Sequence, residues 1–295
     1  MYRGKQPQTI IMAKTCLAAV VLLVLLGLCI SSQAQECKCG LESGRTRSDS
    51  STKVIGGQPT KPGRYPWVVY IRRLVSATQE SRCTGAVIAS RWIMTAAHCV
   101  TANQDASRLE VLPQQGCGTK DTPQGQGLKV VSATRAPGFR DGVGDRASGS
   151  ANDIALLELR DDLPDQYTPI CLDDSTDFDN FFVAGWGREG SEAGTEPDCL
   201  QEAELKVQPL SACRIGRRSA TRDLVLCAGG GSTNTCQGDS GGALMTRSSS
   251  NGRIYAAGVV SNGPPCDGGQ PSIYEKVAAH LQWIRRTTKN AVCVG

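Results

Sequence analysis

The feature that most constrains the fold of this chain is a series of short apolar runs separated by turn residues. From residue 54 onward these runs are only three to five residues long, and Gly, Pro, Asn or Asp stand between them. Such runs are typical of short strands joined by turns rather than of long helices. They include residues 67–71, 86–88, 154–157, 182–184 and 256–260.

The last element departs from this pattern. Within residues 274–286, Val277, Leu281 and Ile284 recur at helical spacing, which predicts a helix. The 295 residues leave room for one large all-β unit or two smaller domains. We therefore expect an all-β fold with a C-terminal helix.

The N-terminal region predicts export. An apolar run over residues 17–30 follows Lys14 and ends near Ser32-Gln33-Ala34, a small-x-small cleavage pattern. The run is too short for an ordinary spanning helix, so residues 1–34 are interpreted as a secretion signal, with a retained signal anchor as the alternative. Residues 35–53 are polar and lack a hydrophobic period, which predicts a flexible pro-segment.

Cysteine content and charge restrict the compartment and the partners. Removal of Cys16 and Cys29 with the signal leaves twelve of the fourteen cysteines, an even number that suits complete pairing in an extracellular location. The same cleavage leaves 29 of the 32 basic residues against 28 acidic ones, so no nucleic acid partner is expected. With only two histidines, most His-built metal sites are excluded, and we expect neither a metal nor a cofactor.

Three segments carry residue types that together suit acyl transfer. A serine nucleophile needs a general base, a group that fixes the base and donors for the developing oxyanion. Ser240 lies in Gly-Asp-Ser-Gly-Gly, a string that by itself is more often an ordinary turn. His98 precedes a cysteine, and Asp153 precedes an apolar run in which its carboxylate would be desolvated. These three residues form a candidate nucleophile, base and orienting acid.

Several longer motifs extend this pattern. They are VIGG at 54–57, TAAHC at 95–99, DIALL at 153–157, GWG at 185–187 and CQGDSGG at 236–242. On these motifs the chain resembles the chymotrypsin/trypsin family of secreted serine proteases. The resemblance implies a protease domain over residues 54–288 before a tail at 289–295. It also implies two Greek-key six-stranded barrels, at about 54–165 and 172–275, with the active site between them.

The resemblance also assigns roles in catalysis and activation. Ser240 would attack the substrate carbonyl, His98 would take and return the proton, and Asp153 would orient the imidazole. The backbone N–H groups of Gly238 and Ser240 would form the oxyanion hole.

A trypsin-like activating protease would cleave the bond between Lys53 and Val54. The new Val54 ammonium would then pair with buried Asp239 and hold the oxyanion loop in shape.

Substrate selection should depend on a pocket formed by Asn234, Ser261, Gly263 and Ser272. Trypsin-like relatives have an aspartate at the position of Asn234, where it pairs with basic substrate side chains. Because this chain has no charge there, we expect cleavage after uncharged, mainly apolar residues, in the chymotrypsin-to-elastase range. Neutral amide side chains are the weaker alternative.

Disulfide pairings follow from the same resemblance. It implies bonds between Cys83 and Cys99, Cys213 and Cys227, and Cys236 and Cys266. Cys171 matches the position that binds a pro-segment cysteine, here Cys37 or Cys39. We further expect Cys117 to pair with Cys199, and Cys293 with the remaining pro-segment cysteine, although sequence alone does not determine connectivity.

Taken together, the sequence predicts a secreted serine endopeptidase made as a zymogen. Its partners would be protein or peptide substrates, an activating protease and protein inhibitors. The alternative is a secreted, non-catalytic homologue that binds or regulates a partner. His280, the second histidine, is interpreted as a packing or surface residue of the C-terminal helix.

Overall fold

The computed structural model describes most of the chain after residue 37. The described residues are 38–43, 57–76, 78–100, 102–113, 117, 127–140, 151–172, 180–190, 196–215, 221–266 and 269–294. The expected signal and the activation bond between Lys53 and Val54 lie outside them. Within them, no helix is long and apolar enough to cross a membrane.

Fourteen strands, one α-helix and three short 3₁₀ helices make up the regular structure of the described residues. The helix α1 spans Val277–Thr287, and its residues Val277, Leu281 and Ile284 are buried. It begins three residues later than expected because the preceding residues form a strand. The strands are β1 Gln58–Pro59, β2 Val68–Leu74, β3 Glu80–Ala89, β4 Trp92–Thr95, β5 Leu109–Leu112, β6 Leu128–Arg135, β7 Ala155–Leu159, β8 Cys171–Leu172, β9 Phe181–Gly185, β10 Gln201–Leu205, β11 Val225–Ala228, β12 Ala243–Arg247, β13 Ile254–Asn262 and β14 Ser272–Lys276.

The first six-stranded unit is a closed barrel. Its strands pair in the order β2, β3, β4, β7, β6 and β5, and β5 pairs again with β2. Every one of these pairs is antiparallel, as in the fold predicted from the sequence. The interior holds large side chains without solvent exposure, including Ile71, Ile93 and Leu157. Burial of each such side chain contributes about 1.5–3 kcal/mol to folding.

The second unit is an eight-stranded sheet. Its main path runs β1, β10, β9, β12, β13, β14 and β11, and β8 pairs with β13. An isolated bridge between Val207 and Ala228 joins the segment after β10 to β11. This bridge connects the two ends of the six-strand path from β10 to β11. β1 pairs with β10 in the antiparallel sense, and β8 pairs with β13 in the parallel sense.

The two units meet where the candidate functional residues lie. Trp67, which precedes β2, is fully buried and donates from Nε1 to Met245 Sδ on β12 at 3.2 Å. The backbone N–H of Thr84 on β3 donates to the carbonyl of Ser240 at 2.8 Å. These contacts fix the first barrel against the segment that carries the candidate nucleophile.

Candidate active site

His98 and Asp153 are held together in two ways. His98 Nδ1 lies 2.8 Å from Asp153 Oδ2, and the backbone N–H of His98 donates to Asp153 Oδ1 at 2.9 Å. The 3₁₀ turn Ala97–Cys99 carries the histidine after β4. The His98 side chain is 37% exposed whereas that of Asp153 is 2% exposed. The imidazole is therefore fixed on its buried edge and open to solvent elsewhere.

A third donor reaches Asp153 from the second unit. Ser261 Oγ donates to Asp153 Oδ2 at 2.6 Å. Ser261 lies where the pairing of β13 with β14 shifts register, between Val260 and Asn262. Such a bulge re-aims a side chain, and here the hydroxyl reaches the acid. The Ser261 side chain, expected from the sequence to bind substrate, is thus committed to Asp153.

Ser240 lies beside the histidine segment. Its carbonyl accepts the Thr84 N–H and is 3.7 Å from the sulfur of Cys99, the residue after His98. Within the described part of the chain, Ser240 Oγ makes no hydrogen bond. The structure therefore places Ser240 next to the segment that carries His98, while among the described residues it shows no hydrogen bond between Ser240 Oγ and His98 Nε2.

The loop before Ser240 is built around glycine. Gly238 has a φ of 105°, a conformation that a side chain would disfavour. Its carbonyl accepts a hydrogen bond from Thr84 Oγ1 at 2.8 Å, which fixes the peptide plane. The N–H groups of Gly238 and Ser240 donate to none of the residues that the structure describes. Neither N–H group is therefore used by the described backbone.

Asp239 is buried under this loop. Its Oδ1 accepts the N–H of Gly187 at 2.8 Å, and its Oδ2 accepts the N–H of Cys236 at 3.0 Å. No cationic group among the described residues contacts it; the expected partner, Val54, lies outside them. Burial raises the pKa of Asp239 to about 6, and the two backbone donors oppose that rise.

The expected pocket has a neutral base whose polar groups are paired. Asn234 Oδ1 accepts Ser272 Oγ at 2.7 Å and the N–H of Thr235 at 3.0 Å, and Asn234 Nδ2 donates to the Gln270 carbonyl at 2.7 Å. Asn234 and Ser272 are both almost completely buried. A Cβ atom placed on Gly263 would lie 2.5 Å from Ser272 Oγ, so this hydroxyl narrows the space beside Gly263.

Two arginines that sequence reasoning missed hold the histidine segment. Arg73 Nη1 donates to the His98 carbonyl at 3.1 Å, and Arg135 donates to the carbonyls of Ala97 and Val100 at 3.0 and 2.7 Å. Nothing in their sequence neighbourhoods marks them, since both look like ordinary strand residues of a charged surface.

A second buried acid, Glu275, was also missed. Glu275 on β14 is fully buried, and its Oε1 lies 2.6 Å from His280 Nε2. His280 is therefore a buried, hydrogen-bonded residue of α1. The available signal was an acid that follows the apolar pair Ile273-Tyr274 in a strand, five residues before a histidine.

Five disulfides join described residues. They are Cys39 with Cys171, Cys83 with Cys99, Cys117 with Cys199, Cys213 with Cys227, and Cys236 with Cys266. The structure thus selects Cys39 as the partner of Cys171. Cys293 is also disulfide-bonded, to a partner outside the described residues.

The sulfur atoms of Cys83 and Cys99, which form a disulfide, lie within 4.8 Å of a His98 ring nitrogen. These three residues are the one group within the described chain whose spacing could suit a metal ion. Because a disulfide leaves no thiolate, this group lacks the ligands that a metal site needs.

A closed β-barrel and a second β-sheet, with a buried acid that contacts a histidine beside a Gly-Asp-Ser-Gly-Gly loop, define a protein with the architecture of a chymotrypsin-like serine protease. The Trypsin family model matches residues 54–284, and the chain belongs to that family.

Curated relatives extend the match to most of the chain. Phenoloxidase-activating factor 3 of Holotrichia diomphalia is 32% identical over 276 residues, which cover 85% of this chain and 75% of that protein. Serine protease grass of Drosophila melanogaster is 32% identical over 260 residues, covering 80% and 68%. Complement C1s subcomponent of Sus scrofa is 31% identical over 268 residues, covering 84% of this chain but only 37% of the relative.

Proposed function

We propose that the protein is a serine endopeptidase that hydrolyses peptide bonds with Ser240, His98 and Asp153. The observation that carries this proposal is the 2.8 Å contact between His98 Nδ1 and Asp153 Oδ2. It places a hydrogen-bonded acid on one ring nitrogen and leaves the other, Nε2, available as a base.

The chemistry follows from these positions. Ser240 Oγ attacks the substrate carbonyl as His98 Nε2 accepts its proton, and the C–N bond then breaks as the imidazolium protonates the leaving amine. Water repeats the sequence to release the acyl group. The N–H groups of Gly238 and Ser240, which donate to no described residue, would bind the oxyanion. Loss of one such donor typically raises the barrier by about 3–4 kcal/mol. Asp153, desolvated and held by Ser261, stabilises the imidazolium.

The protein is proposed to be a zymogen activated by cleavage between Lys53 and Val54. Asp239 supports this proposal, since it is a buried carboxylate with no cationic contact among the described residues. A new Val54 ammonium would supply the missing charge and stabilise the loop that carries Gly238 and Ser240. A trypsin-like protease is the expected activator because the bond follows a lysine.

Secretion is proposed from the disulfides and from the apolar N-terminal run. Five disulfides among the described residues suit an oxidising compartment. The expected partners are therefore extracellular protein substrates, the activator and protein inhibitors.

Specificity for uncharged residues is proposed from the paired base of the pocket. A substrate ammonium or guanidinium would meet Asn234 and Ser272, neither of which carries charge, and desolvation without a counter-ion costs several kcal/mol. Asn234 Oδ1 already accepts two hydrogen bonds, which also disfavours neutral amide side chains. Apolar side chains of limited length are expected to fit best.

A labelling experiment tests the hydrolytic function. After trypsin-like cleavage at Lys53, a fluorophosphonate should label the protein stoichiometrically, and Ser240→Ala should abolish both labelling and peptide hydrolysis. Ser232→Ala, which changes an exposed serine outside the Gly238–Ser240 loop, is the matched control and should label normally. A folded, cleaved protein that resists labelling would instead support the non-catalytic homologue.

A further inference from the structure

The buried acid Glu275 is not used by the proposed reaction. It lies on β14 with no solvent exposure, and its strand neighbours Val225 and Val259 are uncharged. Its Oε2 is buried and has no hydrogen-bond partner among the described residues. Burying a carboxylate in this way costs several kcal/mol, a penalty that a neutral side chain would avoid. The contacts of the other oxygen show where the acid acts.

Glu275 Oε1 connects the two units at the turn that carries Asp153. It accepts the backbone N–H of Asn152 at 3.0 Å, across 123 residues of sequence. Asn152 has a φ of 63°, the left-handed conformation that non-glycine residues adopt infrequently. The hydrogen bond therefore stabilises an uncommon backbone conformation immediately before Asp153.

His280 holds the same oxygen from the other side. Its Nε2 lies 2.6 Å from Glu275 Oε1, and the ring packs edge-on against Trp283 of α1. The helix thereby fixes the Glu275 side chain in the rotamer that reaches Asn152. A continuous set of contacts runs from α1 through Glu275 and the Asn152 turn to Asp153 and His98.

The carboxylate also lies close enough to Asp153 for their charges to interact. Burial is the main cause that raises the pKa of Glu275, and the Asp153 carboxylate raises it further. The hydrogen bond and charge of His280 and the backbone N–H of Asp153 oppose this rise. A negative charge behind Asp153 would favour a protonated His98 imidazole, as the transition state requires.

We propose that Glu275 and His280 are positioning residues for the active site: Glu275 anchors the Asn152 turn and places a buried negative charge behind Asp153, and His280 fixes Glu275 from α1. The charge effect rests on the proposed hydrolytic function, whereas the anchoring does not. Neither residue touches the reacting atoms. Their replacement should change kcat and its pH dependence more than KM.

Two substitutions separate the two effects. Glu275→Gln keeps an acceptor oxygen for the Asn152 N–H and removes the charge. Glu275→Leu removes both the acceptor oxygen and the charge while keeping a side chain of similar volume. Glu204→Gln is the matched control, because Glu204 is an exposed strand acid away from this cluster.

Amide hydrogen exchange in the uncleaved protein tests the anchoring without any need for catalysis. In Glu275→Leu the Asn152 amide should exchange at least about tenfold faster, as expected for the loss of a hydrogen bond worth about 1.4 kcal/mol. In Glu275→Gln and in the control it should stay within about threefold of the wild-type rate. Equal protection of the Asn152 amide in the wild type and all three variants would overturn the anchoring. If Glu275→Leu does not fold, the Asn152 exchange rate in Glu275→Gln decides whether the charge of Glu275 or its acceptor oxygen protects this amide.

The pH profile of kcat/KM in the activated enzyme tests the charge. The charged or titratable groups that face the Glu275 carboxylate are Asp153 and His280. Arg73 lies farther along the same set of contacts, on the carbonyl of His98. In Glu275→Gln the acid limb should move to lower pH, because the imidazolium loses a nearby negative charge. His280→Phe should move it the same way, since Glu275 without its donor is more readily protonated.

The outcomes are distinct. Glu275→Leu should lower kcat about tenfold or more with KM nearly unchanged, and Glu275→Gln should restore most of that loss. Unaltered pH profiles together with a lower free energy of unfolding would reduce the pair to a packing role and overturn the proposal. If the wild-type protein itself shows no hydrolysis, the proposed function fails, and the exchange experiment still decides the anchoring.

Discussion

Gly187 lies directly over Asp239: its N–H donates to Asp239 Oδ1 at 2.8 Å, and a Cβ atom on this glycine would overlap the carboxylate. Gly187 of the GWG motif and Asp239 of the GDSGG motif are 52 positions apart in sequence, and the two motifs are therefore two sides of one buried acid site. The second side continues at Cys236, whose N–H donates to Oδ2. Two backbone donors orient the carboxylate but do not neutralise it.

The first prediction concerns the pH dependence of stability before cleavage. The pKa of Asp239 rises from 3.8 to about 6 on folding, so the folded state binds the proton more tightly than the unfolded state. The contribution of Asp239 to the free energy of unfolding is therefore fully present below pH 4. It falls by about 3 kcal/mol in total as the pH rises through about 6. Urea unfolding of the uncleaved protein at pH 4.5 and 7 should show this decline.

Asp239→Asn should reduce this decline with pH, although it also loses one acceptor for a backbone N–H. The comparison uses the slope of the free energy of unfolding against pH. The raised pKa of Glu275 adds to this slope in the same direction, but Glu275 is present in both proteins and so does not account for a difference between them. Cleavage at Lys53 should remove most of the decline in the wild type by pairing the carboxylate. An uncleaved protein whose stability rises steadily from pH 4.5 to 7, with the same slope in the variant, would contradict the prediction.

The second prediction concerns Thr84, which links the first barrel to the proposed oxyanion loop. Its Oγ1 donates to the Gly238 carbonyl at 2.8 Å, and its backbone N–H donates to the Ser240 carbonyl. Thr84→Val removes only the hydroxyl contact and keeps the branched shape. We expect kcat to fall about tenfold with a smaller change in KM, because the N–H donors of the loop lose alignment.

Steady-state kinetics of the activated enzyme measure this effect, and Thr84→Ser should restore most of the loss since serine keeps the donor. A loss of similar size in Thr84→Ser would mean that the methyl group, rather than the hydrogen bond, supports the loop.

Sequence reasoning could predict a candidate site because the family motifs are local. His98, Asp153 and Ser240 each lie in a short motif that folds into a defined turn, and the apolar runs predicted an all-β chain with a terminal helix. The motifs could not show that Ser261 turns its side chain to Asp153, since a β-bulge depends on the register between two strands. Glu275 was missed for a similar reason: its partner Asn152 is brought to it only by the packing of the two units.

The third prediction concerns retention of the pro-segment. Cys39 is bonded to Cys171, Glu42 lies between Arg64 and Arg247 at 3.3 and 2.8 Å, and the Glu42 side chain is only 4% exposed. After cleavage at Lys53, the two chains should therefore co-migrate under denaturing conditions without reductant and separate with it.

Loss of the covalent bonds should not release the pro-segment under native conditions. In Cys37→Ser/Cys39→Ser, which removes both pro-segment cysteines, the chains should separate on a denaturing gel but elute together in gel filtration at low salt. The further change Glu42→Ala should weaken that association, because two arginines lose their buried carboxylate. Release of the pro-segment from the wild type without reductant would show that the disulfide does not form.

The last prediction concerns the pocket. Asn234→Asp would place a carboxylate at the pocket base, but one oxygen would face the Gln270 carbonyl, which now accepts from Asn234 Nδ2 at 2.7 Å. Two acceptors at that distance repel each other, and the Ser272 hydroxyl continues to narrow the space beside Gly263. The single change should therefore create only weak cleavage after arginine or lysine. Asn234→Asp/Ser272→Gly should cleave after basic residues more strongly, since a long side chain gains both a counter-ion and room to reach it.

A substrate-library profile of the activated wild type and of each variant measures this shift. Ser272→Gly alone is the matched control, because it enlarges the pocket without adding a carboxylate. We expect it to admit longer apolar side chains while substrates with basic residues remain poor. The gain in the double variant should exceed the sum of the two single changes, because the carboxylate helps only a side chain that can reach it. A wild-type enzyme that prefers arginine or lysine would contradict the assignment of Asn234 to the pocket base, since no other charge within the described pocket residues could neutralise the cation.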